Sequence, residues 1–480
     1  MSRDRKTPQW HASRVRTLPS RASVVTAAAL AVGTAMALRT TREQSILGNH
    51  DRLLVEIMVW WAAWAVAVAG LRGTSPRTGL RLVLLGVVAL RMVAITPVVP
   101  LSDDLYRYAW DGAVQASGTS PYRYAPDDPA LAGLRTDWLF PGDARCARQG
   151  SPAGCTVINR PSVRTIYPPV AQLWFLAGHG LGASELRDLG WQLVSLVADL
   201  ATVLLLWRVL LARGGDPRWV AVYAWSPVAV LEAVQNGHVD ALATFFAVAA
   251  VALAGRRPAL SGAALGLAAM VKLYPVLLLP VLLGRRPVRV VTAFAAVCVV
   301  SYLPHVLALG RDVLGYLPGY LAEEDYGSGR RFLLLSPLGL TGRSATVVAA
   351  AIGLAVAVEV LRRVRRPDGA EGGPDHAGAA VLLLGAALLV ATPIQPWYGL
   401  PLAALAALAG RPAWLAVPAA AYPAFFAVIP AGPSDAAARV GSLAFAAALV
   451  VVVVAGVGGR NARRPGQRAL AGPSKGAGGD

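Results

Sequence analysis

Apolar residues in this chain fall into long blocks, not into the alternation of strands or the one-sided stripes of soluble helices. Fourteen such blocks stand at roughly residues 21–38, 53–71, 82–99, 188–211, 219–235, 238–254, 259–273, 275–284, 288–306, 343–361, 377–392, 398–410, 412–429 and 439–457. A perpendicular crossing of a bilayer needs about 20 residues, so the shorter blocks are expected to be tilted, extended or packed inside a bundle. The pattern predicts an all-α polytopic membrane protein with about 12–14 transmembrane helices. One further block, "YPPVAQLWFLAGHGLGA" at 167–183, is apolar but does not fit as a crossing. A crossing there would invert everything after it, so a helix lying in the interface is expected.

Composition supports the membrane reading. Of 480 residues, 55% are hydrophobic and 15% charged, where a soluble chain carries about 25% charged. Mean hydropathy is +0.52. The net charge of +18 does not signal nucleic acid, because the arginines cluster between apolar blocks: "GRRP" at 255–258 and 284–287, "RRVRRP" at 362–367, "GRNARRP" at 459–465. Such tracts mark cytoplasmic loops. With the N-terminus inside, all of them fall on the cytoplasmic side. The basic head and the run Val24–Ala37, ending in "AMA", also fit a secretory signal; an uncleaved first helix is expected.

This topology divides the chain into a basic cytoplasmic N-terminus (1–20), one transmembrane domain (21–457) and a disordered cytoplasmic tail (458–480). It places a large first extracytoplasmic loop at 100–187, including the interfacial helix. The predicted location is the cell membrane, multi-pass, with both termini cytoplasmic. Cys146 and Cys155 share the outer loop, in "RCARQGSPAGC". A disulfide between them is expected, since an outer face permits oxidation; two free thiols are the alternative. Cys298 lies within a block and reads as an apolar filler.

Polar residues gather where blocks end. "PLSDDLYRYAWDG" (100–112) puts Asp103 and Asp104 at the edge of an apolar run, followed by Tyr106, Arg107 and Asp111. Carboxylates beside hydrocarbon are costly and often functional, yet acids at a helix start also cap it. Site and structure weigh about equally there. "VQNGHVDAL" places Asn236, His238 and Asp240 at one turn; the plain reading is a tight connection with an acidic cap, the other a polar ligand site. The chain has forty-five basic residues but only three lysines, Lys6, Lys272 and Lys475, leaving forty-two arginines. Lys272 alone sits in an apolar block. It either snorkels or is held for an anionic group. Arg91, Asp199 and Glu232 lie mid-block and are expected to pair internally. Tyr167 in "TIYPPVAQLW" and Gln395, Trp397 and Tyr398 in "TPIQPWYGLP" fit an aromatic belt or stacking on a sugar ring.

Taken in order, "SDDLYRYAWDG", "ASGTSPYRYAP", "TIYPPVAQ", "NGHVDAL", "GLAAMVKLYP" and "QPWYGLP" resemble the GT-C superfamily of bacterial membrane glycosyltransferases. The group most similar is the polyprenyl-phosphomannose-dependent mannosyltransferases of glycosyltransferase family 87, over about residues 80–410. The first two blocks and the insert at about 141–156 carry no resemblance. The resemblance implies a GT-C-type bundle and inverting transfer of a hexose, mannose in this group. The donor would be a polyprenyl-phosphate sugar and the acceptor a glycolipid or (lipo)glycan of the cell envelope. It also implies an aspartate base in the first outer loop. "DLY" matches at Asp104, with Asp103 orienting it or touching the acceptor. The other candidates named above, Tyr106, Arg107, Asp111, Tyr167, Asn236, His238, Asp240, Lys272, Gln395, Trp397 and Tyr398, become substrate-binding candidates. Lys272 and His238 lead as cations for the departing phosphate, ahead of Arg107, Arg160 and Arg330. No metal or cofactor is demanded, and nucleic acid is not an expected partner. Two other functions keep a place: a transporter or lipid-linked sugar flippase, whose charges also sit inside a bundle, and an O-antigen-type polymerase or ligase resting on His305, Arg311, Arg330 and Arg331.

Overall fold

The computed structural model describes residues 20–43, 46–95, 101–148, 151–323, 331–366, 375–430 and 432–462. The basic head, most of the tail and Arg330 lie outside them. The described chain is helical, with no strand among these residues. Its principal helices are α1 (Arg21–Thr40), α2 (Ile46–Leu71), α3 (Pro76–Ala94), α4 (Asp104–Ala116), α5 (Pro169–Gly180), α6 (Asp188–Ala212), α7 (Asp240–Leu253), α8 (Pro258–Val271) and α9 (Pro287–Leu309). After these come α10 (Leu317–Glu323), α11 (Gly342–Val364), α12 (His376–Ala391), α13 (Leu400–Ala409), α14 (Ala416–Val428) and α15 (Asp435–Ala462).

Six helical runs are long and apolar enough to cross a membrane: Arg21–Thr40, Gly48–Leu71, Asp188–Ala212, Pro287–Tyr320, Gly342–Val364 and Asp435–Val457. A seventh arises if the π-helical turn Ala229–Gln235 and α7, bent by 118° at their junction, count as one crossing. Fourteen blocks therefore do not become fourteen full crossings. Proline and glycine cut several of them short: Pro275 follows α8, Thr392-Pro393 follows α12, and Gly410-Arg411-Pro412 separates α13 from the segment leading to α14. Four apolar helices of 10–17 residues result. Helix α13 is buried along almost its whole length, so its hydropathy reports a protein interior and not a lipid contact. The block expected to cross at 82–99 lies partly in α3, which ends at Ala94 and, with Arg77, Arg81 and Arg91, is not among those six runs; residues 96–99 fall outside the described ones.

The molecule exposes large apolar side chains and buries a mainly apolar core that holds a few paired charges. Leu84, Leu85, Val88 and Met92 on α3, and Val299, Val300 and Leu307 on α9, are exposed. Inside, Arg91 of α3 makes two contacts to Asp199 of α6, 2.9 Å from Nε to Oδ2 and 3.0 Å from Nη2 to Oδ1. The Tyr223 hydroxyl donates to Asp199 at 2.9 Å, and Arg91 also donates to the Ala224 carbonyl. That expected pair is present. Glu232 is engaged elsewhere.

Helices α7, α8 and α9 pack in succession, α11 packs on α12, and α14 on α15. The segment before α5 is extended, and α5 lies against α4. Gly112 allows this contact, because a Cβ there would stand 2.6 Å from the Phe175 carbonyl oxygen. Tyr108 stacks on Phe175 at 4.5 Å with 10° between the rings. A helix is present within the 167–183 segment, as this α5. Cys146 and Cys155 form a disulfide with Cα atoms 5.8 Å apart, while Cys298 in α9 is free.

Candidate active site

Helix α4 begins at Asp104, with Asp103 as its cap residue, but the Asp103 side chain makes no capping hydrogen bond. Both carboxylates instead accept from one amide. Asn159 Nδ2 donates to Asp104 Oδ1 at 2.8 Å and to Asp103 Oδ1 at 3.0 Å. The Tyr108 hydroxyl reaches Asp104 Oδ2 at 3.5 Å, the edge of hydrogen-bond range. The plain capping reading therefore does not describe these side chains. Asp103 is open to the cavity but ringed by protein, and that desolvation, then the Asp104 charge, holds its carboxyl above the usual range. Asn159 is not visible as a candidate in the sequence: it is an unremarkable amide just beyond the cysteine insert.

The acids open onto a cavity of about 920 Å³. It is lined by the polar Asp103, Asp104, Asn159, Arg160, Arg164 and Lys272 and by Tyr106, Tyr167, Gln395, Trp397 and Tyr398. The same cavity is lined by the apolar Val276, Leu277, Ala387, Leu388, Phe425 and Ile429. Tyr316, Leu317 and Tyr320, at the start of α10, complete it. The Tyr320 and Tyr398 hydroxyls are 3.0 Å apart, joining α10 to the "QPWYG" segment.

Lys272 sits where α8 ends. Its ammonium is 2.8 Å from Asp240 Oδ2 and lies over the rings of Tyr167 and Tyr398, at 5.5 and 5.8 Å. Asp240 is wholly buried and also accepts from the Tyr274 hydroxyl at 3.3 Å. Asp240 is thus the counter-ion of Lys272 and stands behind the wall. Arg160 faces the cavity, but Glu323 holds it at 3.0 Å; Arg164 is 3.5 Å from Asp312. Arg160 has a left-handed backbone, φ 45°, a conformation costly for a residue with a side chain and frequent near functional sites.

Four candidates spend their polar groups within the protein. Asp111 is buried, takes Thr165 Oγ1 at 2.6 Å and Gln172 Nε2 at 2.8 Å, and pairs with Arg107 at 3.1 Å. Arg107 touches the cavity wall yet spends its other donors on the Arg160 and Val163 carbonyls. Both fix the 160–165 segment against α4. Asn236 accepts from the Leu101 amide at 2.9 Å and donates to Glu232 at 2.9 Å. His238, expected as a cation for phosphate, has no exposed surface; its ring is stacked 4.2 Å behind Trp397. Among the described residues, no group of three or more His, Cys, Asp or Glu side chains forms a metal-binding set.

The family model for glycosyltransferase family 87 matches residues 165–393. The match supports a GT-C-type family 87 glycosyltransferase. It takes in 229 of the 480 residues, including Tyr167, Asn236, His238, Asp240 and Lys272. Asp103, Asp104, Asn159 and the "QPWYG" segment lie outside it, and line one cavity together with the matched Tyr167 and Lys272. No curated protein and no solved structure matches the chain.

Proposed function

We propose that this membrane glycosyltransferase moves a hexose, mannose, from a polyprenyl-phosphate donor to a glycolipid or glycan acceptor at the extracytoplasmic face of the cell membrane. Asp104 is the base. The observation that carries the reading is one cavity lined both by paired carboxylates with cations and by apolar side chains. A lipid-borne sugar presents that same mixture of chemistries.

The chemistry follows from the positions. Asp104 takes the proton of the acceptor hydroxyl as that oxygen bonds to the anomeric carbon from the face opposite the phosphate. The bond from the anomeric carbon to the phosphate oxygen breaks, and its electron pair leaves with the phosphate. Attack opposite the leaving group inverts the configuration. Lys272 is the cation for the departing charge, with Arg160 and Arg164 also lining the cavity. Asp103, sharing Asn159 with Asp104, orients the base. Trp397, Tyr398 and Tyr167 supply ring faces for the sugar.

The test is transfer by purified protein in detergent, from a polyprenyl-phosphate sugar to a glycolipid. Asp104→Asn is expected to lower kcat by roughly 10²–10⁴-fold, the usual worth of a positioned base, with the protein still folded. Full activity in that variant overturns the assignment. The bent pair at 118° is also a transporter device. Product formed without any membrane to cross decides against that reading.

A further inference from the structure

We infer that Glu232 is a positioning residue that, through His238, fixes the segment carrying Asp104 in its reactive orientation. The inference rests on the proposed function and gives the buried Glu232–His238 pair a task that neither lining the cavity nor binding phosphate describes.

A carboxylate inside an apolar bundle is costly unless its oxygens are fully used. Glu232, in the π-helical turn, is 3% exposed. Its Oε1 accepts from the Tyr422 hydroxyl at 2.7 Å. Its Oε2 accepts from Asn236 Nδ2 at 2.9 Å and lies 3.3 Å from His238 Nδ1. The same ring nitrogen is 3.2 Å from the Glu232 carbonyl oxygen. Nδ1 therefore faces two oxygens of one residue, and a proton on it satisfies both.

The opposite ring nitrogen points at the reaction centre. His238 Nε2 is 3.0 Å from Ser102 Oγ and 3.8 Å from Asp104 Oδ2. Ser102 Oγ in turn receives the Asp104 amide at 3.4 Å. Trp397 covers the ring face towards the cavity, so neither substrate nor bulk water reaches the imidazole from there. The result is a line from Glu232 through His238 to Ser102 and Asp104, parallel to the direct hold of Asn159 on the carboxylate. The other charges close by are Asp240, neutralised by Lys272, and Asp103. A carboxylate behind a histidine selects which nitrogen carries the proton and locks the ring. Here the locked ring braces the start of α4. Glu232 and His238 neither gain nor lose a proton in the transfer.

Glu232→Gln keeps the volume and removes the charge. With full-length protein and a polyprenyl-phosphate sugar, kcat is expected to fall roughly 10–100-fold, the usual cost of losing such a carboxylate behind a histidine, with KM for the donor unchanged. His238→Gln falls by a similar factor, and the double variant is no lower than the worse single one. Tyr422→Phe removes only the far-side tie and keeps most of kcat. Independent losses that multiply, a KM effect with kcat intact, or a Tyr422→Phe loss equal to that of Glu232→Gln each overturn the inference. A substrate-free readout separates it from the function itself: nitrogen NMR of ¹⁵N-histidine-labelled protein. The His238 ring signals are expected to change in both Glu232→Gln and Asp104→Asn; ring signals unmoved by Glu232→Gln overturn it. If the wild-type protein transfers no sugar while these signals respond, the function fails and the brace stands.

Discussion

Asp103 is the residue whose environment is least comfortable. Desolvation and the neighbouring Asp104 charge raise its carboxyl, so folding favours its neutral form. The linkage sign follows: this contribution is full below the unfolded value, about 4, and is lost as pH rises through the raised folded value. Wherever Asp103 ionises in the folded protein, its charge is therefore a cost to stability. Asp103→Asn is expected to raise the apparent unfolding midpoint in detergent at pH 7, with the gain vanishing as pH falls below about 4. A midpoint difference independent of pH contradicts this. Activity is expected to move the other way, because Asn159 would then hold only one anion.

At the scale of elements, some features are legible in the sequence and others are hidden for physical reasons. Breaks in apolar blocks are readable, because a proline or an ionised group is costly inside such a block and stands out against it; the acid couplet, Lys272 and "QPWYG" all show themselves that way. Which side such a residue faces is not readable. His238 and Asp240 belong to the same turn as the cavity wall yet point behind it, since a 118° bend defeats helical periodicity. Glu232 could equally pair with Arg91 in a linear reading, because nothing along the chain says that Asp199 takes Arg91 alone. Asn159 gives no signal, as its partners lie more than fifty residues upstream. The contact between α4 and α5 is a further element-level feature that only the fold reveals. Gly112→Ala places a methyl against the Phe175 backbone, so the helices must separate. It is expected to cost about 1–3 kcal/mol and, because α4 starts at Asp104, to lower transfer as well. Thermal unfolding together with a transfer assay checks both; unchanged unfolding and transfer contradict it.

At the scale of the whole molecule, two ion pairs with buried carboxylates tie helices together. Arg91 with Asp199 ties α3 to α6, and Lys272 with Asp240 ties α8 to α7. Removing one member leaves the other uncompensated in a low dielectric. Asp199→Asn is expected to destabilise the protein by about 3–5 kcal/mol, visible as a lower unfolding midpoint. Replacing Arg91 and Asp199 together by apolar residues is expected to cost less than either single change, because no lone ion remains.

Arg91 and Asp199 also stand 108 positions apart along the chain. During synthesis the guanidinium of α3 must reach the insertion machinery long before the acid that neutralises it has been made. At elongation speeds of about 5–20 residues per second, the early helices wait several seconds in a half-finished state with a bare cation. The Arg91–Asp199 pair can therefore form only after α6 has been made.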